Sequence, residues 1–239
     1  MAIWGKIIGG ALGSIGGPIG VGVGAALGHQ FDRASDASNK NQKVALAYGF
    51  IIVAAMAKMA KADGRVTRAE IDRIETFFNE LGFKEDFKEA ARRIFNREKN
   101  ADTDLGAYFE QFSKLTEADL TQAQMLYKIL QEVALADGQY QEAEIQILRL
   151  AEAKLRLPMG YTDRELGGEP RGAKHAAEVL GISESATEAE IKKAYREKCK
   201  KMHPDVLRNQ GLPDELVQYA AAQIQSFTEA KNTLLEARR

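Results

Sequence analysis

From Ile7 to Leu27 the chain has no charged side chain, and its glycines fall at helical spacing. Those twenty-one residues make roughly 31 Å of helix, close to the thickness of a bilayer's hydrocarbon core. Trp4 and Lys6 stand where an interfacial ring and a snorkelling cation would sit. Gly5, Gly9, Gly13 and Gly17 are spaced by four, as are Gly16, Gly20, Gly24 and Gly28. Small residues at that spacing let two helix backbones approach closely in lipid. The expectation is a Gly-rich transmembrane helix over 1–30 that packs on a second copy through Gly9, Gly13 and Gly17 or Gly16, Gly20 and Gly24, giving a homodimer. The rival readings are a soluble Gly-rich arm, weakened as a helix by Pro18, and a cleaved export signal.

Arg33, Lys40 and Lys43 follow the apolar run, whereas only Lys6 and the amino terminus precede it. That excess places the bulk of the chain on the cytoplasmic side of a single-pass membrane segment. Residues 31–43 read as a polar juxtamembrane linker. The 239 residues have a formal net charge of −1, which argues against bulk nucleic-acid binding. With only Cys199, His29, His175 and His203 available, a zinc site and an internal disulfide are not expected, and no cofactor is implied.

Residues 44–158 read as helical throughout, with no alternating strand pattern. "VALAYGFIIVAAMAKMAKADG" is apolar on more than one face and predicts a buried core helix; Lys58 and Lys61 argue against a second span. "AKADGRVTRAEIDRI" is echoed by "ALADGQYQEAEIQIL" 74 residues later, so two helix–turn–helix units are expected around a pseudo-two-fold axis. Asp63, Glu70, Asp137 and Glu144 fall at matching places in the two copies. They could converge on a divalent cation, which wants several oxygen ligands. The structural alternative is a turn aspartate, a left-handed glycine and a capping-box glutamate in each copy.

Residues 159–173 carry Pro, Gly and charge without periodicity and read as a linker. Residues 174–239 then hold three helical patterns. A short one covers "HAAEVLGI". A second starts at Thr187, with Glu190 positioned to close a capping box, and places Ile191, Ala194, Tyr195, Lys198 and Met202 near one stripe. A third buries Val217, Ala220, Ile224, Phe227 and Leu234. From Glu188 to Met202 there are six basic residues against three acidic ones, and the run ends at His203-Pro204-Asp205 before a polar loop. As a metal site the tripeptide lacks partners, and as a catalytic pair it lacks a nucleophile. It reads as a helix stop or as a surface that another protein recognises.

The order "AEVLGI", "AEIKKAYREKCKKMHPD", loop and helix resembles the J domain of the DnaJ (Hsp40) co-chaperones. That resemblance implies an antiparallel hairpin docking on an acidic surface of a DnaK-type Hsp70. Lys192, Tyr195, Arg196 and Lys200 would belong to the docking face. His203, Pro204 and Asp205 would trigger ATP hydrolysis in the partner, so this chain would itself be no enzyme. Ile224 falls where an apolar residue packs beneath the loop.

"WGKIIGG", the Gly-rich run ending "GHQFD", the helical repeat and "HPDVLRNQGLP" together resemble the DjlA-like family of membrane-anchored J proteins, whose middle region is TerB-like. The fold implied is all-α: a transmembrane helix, a TerB-like bundle and a J-domain hairpin. Three positions depart from the J pattern: Ala176 and Ala177 replace paired tyrosines, Val206 a basic residue, and Lys231 a tyrosine. The alternative function is a membrane scaffold or metal-responsive sensor acting through the TerB-like region, whose own partner is not readable.

Overall fold

The structure, a computed structural model, describes residues 16–27, 40–62, 76, 79, 85–135, 138–167, 172–209 and 214–238. Among the described residues every regular element is a helix. The chain divides into two compact units, Met1–Arg156 and Leu157–Arg239.

In the first unit α1 is Gly17–Leu27, α2 Lys40–Ala62, α3 Glu85–Glu98, α4 Leu105–Leu115, α5 Leu120–Ala134 and α6 Glu142–Lys154. Helix α2 is the hub, since α1, α3, α4, α5 and α6 all pack on it. From Ala47 to Ala57 nothing polar interrupts it except the Tyr48 hydroxyl, and its side chains are buried all round, as the sequence predicts. Tyr48 packs edge-on to Phe112, 4.7 Å between ring centroids, and its hydroxyl lies 2.6 Å from Oε1 of Gln122. Burial pushes that phenol well above its ordinary pKa. At the end of α2 the Lys58 ammonium donates to the Ala101 carbonyl at 2.7 Å, and its desolvation there lowers its pKa. The carboxylate of Glu98 is fully buried and accepts from Thr103 Oγ1 at 2.6 Å, with Arg97 alongside. This charge is therefore paired and hydrogen-bonded, as a buried carboxylate must be.

Side-chain caps fix where the helices start. Asp104 accepts from the Gly106 N–H at the head of α4, and Asp119 from the Thr121 and Gln122 N–H groups at the head of α5. Between α5 and α6 the chain turns through Gly138 at φ +87°, and the Gln141 N–H donates to Glu144 Oε2 at 2.9 Å. The second copy of the repeat is thus a helix, a glycine turn and a capped helix. The turn of the first copy, with the expected helix after Thr67, lies almost wholly outside the described residues.

The N-terminal segment is described over the eleven residues of α1, and no described helix is long and apolar enough to cross a membrane. Ile19 is buried, its N–H donates to Gln111 Oε1 at 2.7 Å, and Gln111 also donates to the Gly16 carbonyl. The close approach is made by Gly22, where an added Cβ would lie 2.3 Å from Phe50 Cζ. A Cβ at Gly16 or Gly24 would meet nothing within 4 Å, so these two ladder positions are not used inside the unit. Gly9 and Gly13 lie outside the described residues. Gly20 is half-buried, and Gly17 takes a positive φ of 73° beside Gln111.

The second unit holds α7, Tyr161–Leu166; α8, Ala173–Leu180; α9, Glu188–Lys201; α10, Pro204–Asn209; and α11, Asp214–Glu236. Helix α7 occupies part of the expected linker. Gly160, at φ 75°, turns the chain into it, and Tyr161 and Thr162 are buried. Glu165 of α7 comes to 3.8 Å from Nε2 of His175 on α8. Helix α8 ends in a Schellman closure: Gly181, at φ 70°, donates to Glu178 and Ile182 donates to Ala177. Ala176 and Ala177 are both buried on α8. Helices α8, α9 and α10 all pack on α11, whose Val217, Ala220, Phe227 and Leu234 are buried as expected; Ile224 is half-buried.

Candidate partner-docking site

Helix α9 begins where its sequence says it should. The Thr187 hydroxyl accepts from the Glu190 N–H, and the Glu190 carboxylate accepts from the Thr187 N–H at 2.7 Å and hydroxyl at 2.8 Å. Those donors, the backbone one first, hold the Glu190 carboxyl below its ordinary pKa. Ile191 and Met202 are buried and fix which face of the helix turns outward.

The outward face carries Lys192, Lys193, Arg196, Lys200 and Lys201, all exposed. They do not present equal charge. Lys192 is paired with Glu188 at 2.9 Å, one turn earlier, while Lys193, Arg196 and Lys200 form no ion pair among the described residues. Arg196 donates from Nε to the Lys192 carbonyl at 3.2 Å, which orients its guanidinium along the helix. Lys198 does not join this face. It is 5% exposed, and its ammonium sits 5.3 Å from the centroid of the Phe227 ring on α11. One of the six basic residues therefore braces the hairpin instead. Tyr195 is likewise half-buried and tied to α11, its hydroxyl 3.2 Å from Thr228 Oγ1.

The chain enters a short helix at the tripeptide itself. Pro204 is the first residue of α10, a position where its fixed φ suits a helix and its missing N–H costs nothing. The His203 carbonyl accepts the first bond of that helix, from Leu207 at 3.1 Å. Nδ1 of His203 accepts from the Asp205 N–H at 3.3 Å, so the imidazole caps α10 through Nδ1 and leaves Nε2 to donate outward. Asp205 stands in the first turn of α10, where a carboxylate is favoured, and Arg208 Nη1 lies 3.4 Å from its Oδ1. The His203 and Asp205 side chains are 57% and 74% exposed, so a donor and a carboxylate project together beside the basic face.

Of the four acidic candidates of the repeat, Glu144 alone lies among the described residues. Glu144 spends its carboxylate on the α6 cap. Asp63, Glu70 and Asp137 lie outside the described residues. Among the described residues no three His, Cys, Asp or Glu side chains are grouped to hold a metal ion.

A basic helix ending in an exposed His-Pro-Asp, braced against a long third helix, defines a J-domain module. The family model described as the DnaJ domain matches residues 177–239. Two others match further parts of the chain: tellurite resistance protein TerB over residues 50–164, and the co-chaperone DjlA transmembrane domain over residues 1–41. Curated relatives include the co-chaperone protein DjlA of Photobacterium profundum, 29% identical over 95% of this chain and 96% of that protein. DjlA of Shewanella oneidensis is 30% identical over 74% and 72% of the two chains, and DjlA of Coxiella burnetii 28% over 98% and 97%. No solved structure matches. The chain belongs to the DjlA family of membrane-anchored J-domain co-chaperones.

Proposed function

We propose that this chain recruits a cytosolic DnaK-type Hsp70 to the bacterial inner membrane and stimulates its ATP hydrolysis. The observation that carries this reading is the placement of His203 and Asp205. Both are exposed at the start of α10, His203 as its cap and Asp205 in its first turn, directly after the basic face of α9. Lys193, Arg196 and Lys200, with Lys192 beside them, speed and orient encounter with an acidic partner. The rigid Pro204 holds the two polar side chains in place, so little entropy is lost when they are read. Hydrolysis belongs to the partner. In this reading the segment over 1–30 spans once, and the excess of positive charge after it puts residues 44–239 on the cytoplasmic side, where ATP and Hsp70 are found. The test is single-turnover ATP hydrolysis by a DnaK-type Hsp70, with and without the detergent-solubilised chain. Stimulation by the wild type and its loss in His203→Gln are expected; an equal rate in the variant overturns the mechanism.

A further inference from the structure

We propose that Lys231 is an additional docking residue, which carries the positive surface of α9 across onto α11. This rests on the co-chaperone reading above. The Lys231 ammonium lies 4.6 Å from the centroid of the Tyr195 ring. Tyr195 is held there from its far end. Thr228 Oγ1 donates to the Ile224 carbonyl at 3.0 Å, so the 3.2 Å contact with Tyr195 has the phenol as donor. Thr228 and Lys231 are three apart on α11 and share a face. The ring is thus pinned through its hydroxyl by one residue and covered by the ammonium of the other.

The charge at Lys231 is not spent within the chain. Its neighbours three and four positions away are Phe227, Thr228, Leu234 and Leu235, none acidic. It has no carboxylate or hydrogen-bond partner among the described residues. Two other cations show the contrast. Lys198 makes the reciprocal contact from α9 to Phe227 but is buried, and Lys192 is neutralised by Glu188. Lys231 is half-buried, with its stem along an aromatic face. In that arrangement a lysine covers apolar surface while keeping its charge available. Tyr195 lies one turn from Lys192 on α9, so the contact brings Lys231 to the side of the hairpin that bears that cation. An acidic partner groove lying along α9 would meet α11 at this point.

The experiment titrates Hsp70 single-turnover hydrolysis with the full chain in detergent, for the wild type, Lys231→Met and Lys231→Arg, at low and high salt. A rim cation acts on encounter, so Lys231→Met should raise the half-maximal concentration about two- to fivefold at low salt and leave the plateau rate unchanged. The difference should shrink at high salt, and Lys231→Arg should restore wild-type behaviour. An unchanged half-maximal concentration in Lys231→Met, with the wild type still active, overturns the role of Lys231 alone. A loss of equal size at both salt concentrations, not rescued by Arg, assigns Lys231 to hairpin packing and also overturns it. Failure of the wild type to stimulate removes the co-chaperone reading and this proposal together.

Discussion

Nδ1 of His203 accepts from the backbone N–H of Asp205 at 3.3 Å, so the first residue of the His-Pro-Asp tripeptide caps the helix that its second residue begins. The two duties of this imidazole can be separated. Asn is among the best capping residues, but its side chain does not reach as far as Nε2. His203→Asn should therefore keep the C-terminal unit within about 1 kcal/mol of wild-type stability, measured by urea unfolding, while Hsp70 stimulation falls to the basal rate. Retained stimulation would mean that capping is all His203 contributes.

Glu188 is paired with Lys192, one of the cations proposed to dock. Its ion pair with Lys192 is exposed, and i,i+4 pairs of this kind contribute only about 0.3–0.5 kcal/mol to the helix. Glu188→Gln should cost little stability and leave Lys192 unneutralised. Association with the partner, followed by stopped flow, should then be faster at low salt, with a steeper dependence on ionic strength. An unchanged association rate would place Lys192 outside the docking face.

Much of this hairpin can be read directly from the residues, for identifiable reasons. Ile191, Met202, Val217, Phe227 and Leu234 repeat at the helical period, and the Thr187–Glu190 cap is a local pattern. Helix α10 is too short to show a period, and Pro204 reads as a stop although it also suits a first helical position. Lys198 falls on the apolar stripe of α9. Its residue type suggests solvent, and only Phe227, distant in sequence, explains its burial. The contact between Lys231 and Tyr195 is likewise tertiary, although the change from the usual tyrosine at 231 marks the place. In the first unit, the apolar run Ala47–Ala57 of α2 predicts its central position. Helix α7 gives no such signal, since six residues without periodicity resemble a linker.

The α9 cap has a pH signature with a defined sign. Its hydrogen bonds lower the folded-state pKa of Glu190, so the unfolded chain binds more protons between that value and about 4.3, the ordinary glutamate pKa. The stabilisation is present above that window and is lost as pH falls through the depressed folded pKa. The Thr187 N–H is the larger cause and the hydroxyl the smaller. In Thr187→Ala the Glu190 carboxyl, followed by NMR titration, should therefore move only part of the way back. The same change should cost about 1 kcal/mol of stability through the lost N-cap. Complete return of the titration to the ordinary glutamate range would assign the shift to the hydroxyl instead.

Two sets of glycines in the N-terminal segment make separable predictions. Gly22 has no room for a Cβ beside Phe50, whereas Gly16 and Gly24 face open space within the chain. If the ladder Gly16, Gly20 and Gly24 packs against a second copy in the membrane, changing all three to Leu should weaken the detergent-resistant oligomer, because close backbone approach would be lost. Gly22→Leu should instead displace α1 from Phe50 and leave the oligomer intact. Cross-linking of the solubilised chain reads the first effect, and protection of Phe50 and Gln111 from solvent labelling reads the second. An oligomer that survives the triple change would refute packing through this ladder. An oligomer lost in Gly22→Leu alone would assign the intermolecular contact to the face of α1 that bears Gly22.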